Sequence, residues 1–183
     1  MLGLANQWLT VRQNILCWPI GIASVVLYVF VFYDAKLYSD VLLQGIYVCL
    51  QLYGWRNWLR LRSGDSAVLS RRRLPVTQLG AQGWIIVTAI LISGTTLLGS
   101  VMARYTDAAM PVPDALATTL SLTAQWLQAR KVLESWLVFI VANGLFIAIY
   151  WTKGLYVTIG LFTVLTVLAV VGFLQWRMSL RMS

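Results

Sequence analysis

The chain has 183 residues, of which 60% are hydrophobic and only 11% charged, with a formal charge of +8. A soluble domain carries about 45–50% apolar and about 25% charged residues, so a water-soluble globule is excluded and an all-α integral membrane protein is implied. Histidine is absent, which removes the usual general base and the commonest zinc and haem ligand. The basic residues fall between apolar stretches, so the charge reads as membrane orientation rather than nucleic-acid binding.

Residues 1–9 carry no basic n-region and no cleavage site, so no cleavable signal peptide is expected. They are also too short to span, since crossing takes about 20 residues at 1.5 Å each. Six apolar stretches follow, at 15–33, 38–58, 84–103, 113–128, 136–151 and 155–176. The fourth holds Thr118, Thr119, Ser121, Thr123 and Gln125, a polarity that suits packing against other helices better than lipid. The connection 59–83 is polar and basic, with Arg60, Arg62, Asp65, Arg71, Arg72 and Arg73. Pro111 and Pro113 mark a second break. The two cysteines, Cys17 and Cys49, stand apart among apolar residues and read as buried free thiols.

The chain repeats itself. QWLTVRQNILCW at 7–18 returns as QWLQARKVLESW at 125–136, and sliding the chain by 118 residues aligns more. Trp8, Arg12 and Trp18 meet Trp126, Arg130 and Trp136, Gly54 meets Gly172, and Trp58 meets Trp176. Leu37-Tyr38 meets Leu155-Tyr156. Each half is therefore one unit of three helices. The expected organisation is a first repeat at 1–58, a basic cytoplasmic loop at 59–83, a linker helix at 84–103, a second repeat at 113–176 and a cytoplasmic tail at 177–183. Residues 1–9 read as the tail of a helix whose front is missing, through a late start codon or a clipped helix. The single linker span returns the chain to its starting face, giving a 3+1+3 arrangement with parallel repeats. Placing loop 59–83 in the cytoplasm puts 11 basic residues inside and 3 outside, with the C-terminus inside.

Asp34, Asp40, Asp107, Asp114 and Glu134 sit at span ends or in loops and none reads as buried, which argues for passive transport over proton coupling. Without histidine or a buried carboxylate there is no acid–base pair, so no enzyme and no cofactor are expected. The polar residues inside spans form stripes. Gln44, Tyr47, Gln51, Trp55 and Trp58 are spaced 3, 4, 4 and 3, and Trp136, Phe139, Asn143, Phe146 and Tyr150 are spaced 3, 4, 3 and 4, each on one helical face. Gln125 projects from the preceding span. Amides offer donors and acceptors, and aromatic faces attract flat cations. Together they describe a site between the halves for a small aromatic, cationic solute. Gln44 and Asn143 are read as solute contacts rather than interhelical glue. Trp58 and Trp176, near span ends, are read as membrane-interface tryptophans, Tyr38 and Tyr156 as anchors, and Gly54 and Gly172 as packing glycines.

The runs WPIGIASVVLYVFVFYDAKLY, LYSDVLLQGIYVCLQLYGWRNW, RKVLESW and YWTKGLYVTIGLFTVLTVLAVVGFLQW resemble the Pnu-type vitamin transporters, the PnuC family of nicotinamide riboside carriers. The resemblance covers nearly the whole chain. It implies a 3+1+3 fold similar to an inside-out relative of the SWEET sugar carriers, a homotrimer in the inner membrane, and nicotinamide riboside or thiamine carried down its gradient and trapped by a cytoplasmic kinase. By match it places substrate at Gln44, Tyr47, Gln51, Trp55, Trp136 and Asn143. The chain departs from the family's W-x-x-W pattern at Trp136-Leu137-Val138-Phe139. Phe139 keeps the ring but lacks the indole N–H, which leaves the choice of vitamin open. A non-transporting membrane module fits the small size but not the paired stripes.

Overall fold

The computed structural model describes residues 2–34, 36, 38–63, 75–105 and 110–181, with residues 38–40, 62 and 63 described as backbone only. Arg71, Arg72, Arg73, Asp65, Asp107, Leu37 and the Tyr38 side chain lie outside the described residues. Among the described residues seven helices run α1 Leu2–Val11, α2 Cys17–Asp34, α3 Tyr38–Ser63, α4 Ala81–Tyr105, α5 Pro111–Ala129, α6 Ser135–Thr152 and α7 Tyr156–Arg181. Of these, α2, α4, α6 and α7 are long and apolar enough to cross a membrane, and the protein is a multi-pass membrane protein.

Each of the six expected apolar stretches coincides with a helix, α2 to α7, with two corrections at their ends. Helices α3 and α7 each run five residues past the expected stop, because Arg56, Arg60, Arg177 and Arg181 end the apolar stretch without ending the helix. Residues 59–63 and 81–83 are therefore helical rather than loop. Pro111 sits at the first position of α5, where its missing N–H is no loss and its fixed φ suits the helix.

The helices pack in a closed circuit, α1 on α2, α2 on α3, α3 on α5, α5 on α6, α6 on α7, and α7 back on α1. Among the described residues α4 packs on α5 alone. The polar helix α5 buries ten of its residues, including Thr119, Thr123, Gln125 and Gln128. Thr119, Ser121 and Thr123 each donate a hydroxyl to the carbonyl four residues back, which satisfies them without a second helix. The helix that looked too polar for lipid is the one surrounded by protein.

Contacts recur at the 118-residue offset. The turn after α1 is closed by Arg12 N–H to Trp8 O, Gln13 N–H to Thr10 O and Asn14 N–H to Leu9 O, at 3.1, 2.9 and 2.9 Å. The turn after α5 repeats these bonds between Arg130 and Trp126, Lys131 and Gln128, and Val132 and Leu127, at 3.2, 3.0 and 3.0 Å. Gln13 and Lys131 both take positive φ, 57° and 65°, as do Lys36 at 58° and Gly154 at 69° in the other pair of matching turns. Arg12 lies over the Trp8 ring at 4.8 Å and Arg130 over Trp126 at 5.0 Å. The second turn carries a backbone tie to the segment before α4. Thr77 donates its N–H to Lys131 O at 3.0 Å and accepts from Leu133 N–H at 2.9 Å, so the segment before α4 is laced to the α5–α6 turn.

Candidate functional site

One end of the circuit is filled by four tryptophans, one each from α2, α3, α6 and α7. Trp18 meets Trp58 edge to face at 5.3 Å and 84°, and Trp136 meets Trp176 at 5.3 Å and 89°. Trp58 and Trp176 join the two pairs at 6.0 Å and 52°. Edge-to-face pairs of this kind add about 0.5–1.5 kcal/mol each beyond the area they bury. The outer rings seat on glycine. A Cβ at Gly172 would lie 2.6 Å from Trp136 Cη2, and one at Gly54 would clash with the Trp18 ring. The hydrogen bonds match as well. Trp58 Nε1–H donates to Gln128 O and Trp176 Nε1–H to Thr10 O, both at 3.3 Å.

This corrects two expectations. Trp58 and Trp176 are not interfacial; both are fully buried. Position along one helix cannot distinguish a belt from a core when the partner ring comes from the other half. Lys131, counted with the loop cations, is also completely buried. Its Nζ donates to Gln13 Oε1 at 2.6 Å and stands 4.5 Å from the Trp58 ring and 4.8 Å from the Trp176 ring. The signal available in the sequence was the register itself, which sets Gln13 opposite Lys131. Of the two free thiols, Cys17 is buried and Cys49 is exposed on α3.

Of the expected solute residues, Trp136 is itself a ring of this cluster and Trp55 and Phe139 pack against it. Gln51 and Asn143 are each two turns from a cluster tryptophan, Trp58 and Trp136 respectively, about 10 Å along the helix. The α3 stripe faces inward: Gln51 and Trp58 are buried, Gln44, Tyr47 and Trp55 half-buried, and most residues between them exposed. Tyr47 has its phenol within hydrogen-bonding reach of Ser121 across the α3–α5 contact. Trp55, Trp136 and Phe139 share one apolar cluster. Gln125 and Asn143 are buried on α5 and α6. Phe146 and Tyr150 turn instead toward Phe162 of α7, at 4.8 and 5.5 Å.

The two halves differ at one informative place. The Gln51 amide lies against Gly21, where a Cβ would be 2.6 Å from Nε2. The matching pair in the second half is Ala169 and Phe139. Glycine opposite a polar amide in one half becomes phenylalanine opposite alanine in the other. The large side chain moves to the other helix of the pair, and one wall becomes polar while the other stays apolar.

Five buried polar atoms near this end have no hydrogen-bond partner among the described residues: Gln51 Oε1, Trp136 Nε1, Trp18 Nε1, Gln128 Nε2 and Ser135 Oγ. Leaving such a group unpaired costs about 1–3 kcal/mol. Gln51 and Trp136 both belong to the expected site, one offering an acceptor and the other a donor. Two cavities, of about 240 and 520 Å³, open elsewhere, one beside Leu91, Thr95 and Leu116 and one beside Asn57, Gln82 and Arg130. None of the eight expected site residues lines either.

The family described as nicotinamide mononucleotide transporter matches residues 1–178. The nicotinamide riboside transporter PnuC of Escherichia coli (strain K12) is 28% identical over 98% of this chain and 83% of its own length. The riboflavin/roseoflavin transporter RibM of Streptomyces davaonensis is 22% identical over 99% of this chain and 83% of its own. A crystal structure of the vitamin B3 transporter PnuC superposes with a TM-score of 0.76 at 22% identity, over 99% of this chain and 79% of that one, and shows the same fold.

Proposed function

The chain belongs to the nicotinamide mononucleotide transporter family, a family of transporters and not of enzymes, and on that premise we propose that it carries nicotinamide riboside across the inner membrane by facilitated diffusion. The observation that carries this reading is the pair of buried, unpartnered polar atoms at Gln51 Oε1 and Trp136 Nε1. A carboxamide supplies both a donor and an acceptor to such a pair. Tyr47, Trp55 and Phe139 supply the aromatic walls for the pyridinium ring, and Gln44, Gln125 and Asn143 supply amides for the ribose hydroxyls. Asp34, Asp40 and Asp114 lie in the end turns of their helices rather than mid-span, which favours passive carriage, and net uptake then needs a cytoplasmic kinase that removes the vitamin by phosphorylation. The arginine-rich end, with Arg12, Arg56, Arg130 and Arg177, faces the cytoplasm, and three copies assemble in the membrane.

A flavin is the second reading, favoured by the likeness to the riboflavin/roseoflavin transporter. Calorimetry on the purified protein separates them. Nicotinamide riboside is expected to bind, with Gln51→Leu and Trp136→Phe each weakening it about tenfold, the cost of one lost hydrogen bond in a buried site. Binding of riboflavin or thiamine alone would overturn the substrate and keep the fold.

A further inference from the structure

Lys131 and Gln13 occupy matching positions of the two halves, and they touch. A contact between matched positions lies on the axis that relates the halves. Around it sit Trp58 and Trp176, themselves matched, with their faces toward the ammonium at 4.5 and 4.8 Å. A solute held between the halves must leave along that axis or through a wall of packed helices. At this end the way is filled by one lysine, one glutamine and four indoles, with Lys131, Trp58 and Trp136 completely buried.

We propose that Lys131 and Gln13 are the gating residues of transport at the arginine-rich end. The ammonium is a tethered cation that occupies the indole faces of Trp58 and Trp176 when the path is shut. A cationic solute leaving by this end takes those faces as Lys131 gives them up. Opening breaks the charge-assisted Lys131–Gln13 hydrogen bond and the contacts of the ammonium with the Trp58 and Trp176 faces, and the solute's own ring offsets the loss at the faces. The left-handed backbone at both residues holds the two side chains on the axis. The Thr77 bonds tie the Lys131 turn through its backbone, and the Gln13 turn is tied to α7 by Gln13 Nε2 donating to Ser179 Oγ at 3.0 Å and by Trp176 Nε1–H donating to Thr10 O at 3.3 Å. This gate rests on the transport reading above.

The chain supplies its own probe. Cys17 is buried in the cluster at 1% exposure, while Cys49 is exposed. In Cys49→Ala protein, reconstituted in liposomes, alkylation of Cys17 by a maleimide reports opening at this end without any substrate. Lys131→Gln is expected to raise the labelling rate about tenfold, the shift that follows losing one charge-assisted hydrogen bond. The swap Gln13→Lys with Lys131→Gln rebuilds the contact from the other side of the axis, against the same two rings, and is expected to restore protection to within about twofold of the parent. A variant that merely loosens the fold would not be rescued by the swap. Unchanged labelling in Lys131→Gln, or labelling in the swap as fast as in the single variant, overturns the gate. Because labelling needs no vitamin, protection that follows this pattern in a protein that fails to bind nicotinamide riboside would keep the gate and remove the substrate.

Discussion

Gly172→Ala sets two effects of opposite sign against each other. Alanine in a helix interior is better than glycine by about 0.8–1 kcal/mol. The new Cβ, however, would stand 2.6 Å from Trp136 Cη2 and Cζ2 and 2.7 Å from Cε2. Carbon atoms rest at about 3.5–4.0 Å, so the ring must retreat by about 1 Å. It has little room, because Trp136 is fully buried and held edge-on by Trp176. Overpacking of this kind costs about 1–3 kcal/mol, which outweighs the propensity gain. The net loss expected is about 1–2 kcal/mol, or a fall of a few degrees in melting temperature for a chain of this size. Thermal unfolding of purified protein, followed by tryptophan fluorescence, measures it. Gly144→Ala, with nothing within 4 Å of its Cβ, is the matched control and should melt no lower than the parent. Equal melting temperatures for the Gly172 and Gly144 variants would refute the packing assigned to the four-tryptophan cluster.

Gly21→Ala meets only the flexible end of Gln51, so stability should change by less than about 1 kcal/mol while vitamin binding weakens, because the amide is displaced; calorimetry beside a melting curve separates the two. Trp58→Phe and Trp176→Phe each delete a matched indole hydrogen bond and should lower stability by similar amounts, about 0.5–1.5 kcal/mol for the bond and more for the ring; a large inequality in denaturation would show that the two halves do not bear the cluster equally. Asp114→Asn removes an ion pair with Lys153 that is 3.5 Å long and partly exposed, and it should shift the melting temperature by no more than about a degree.

Much of this fold was legible because a membrane chain writes its helices as apolar stretches, and because each half states the pattern again. The burial of α5 was legible too, from threonines and glutamines that lipid would not accept. What the sequence hid was contact across the axis. Trp58 and Trp176 stand at the ends of their apolar stretches, where lone tryptophans serve as anchors; only the three-dimensional pairing with Trp18, Trp136 and Lys131 makes them core. Lys131 follows an arginine in a short polar turn and looks solvated for the same reason. Cys49 looked buried because its neighbours are apolar, but an apolar neighbourhood in sequence also describes a face turned to lipid. The exchange of Gly21 and Gln51 for Phe139 and Ala169 was present in the register and is recognisable only once the Gln51 amide is known to lie on Gly21.

The central claim, passive carriage of nicotinamide riboside, is tested most directly by flux. Protein reconstituted in liposomes is given labelled nicotinamide riboside outside and no kinase inside. The vitamin should enter until the internal and external concentrations are equal, leave again on dilution, and respond to neither a proton gradient nor a membrane potential beyond that expected for its own charge. Accumulation above the external concentration driven by a proton gradient, or no flux of nicotinamide riboside in vesicles that pass riboflavin, would contradict the account.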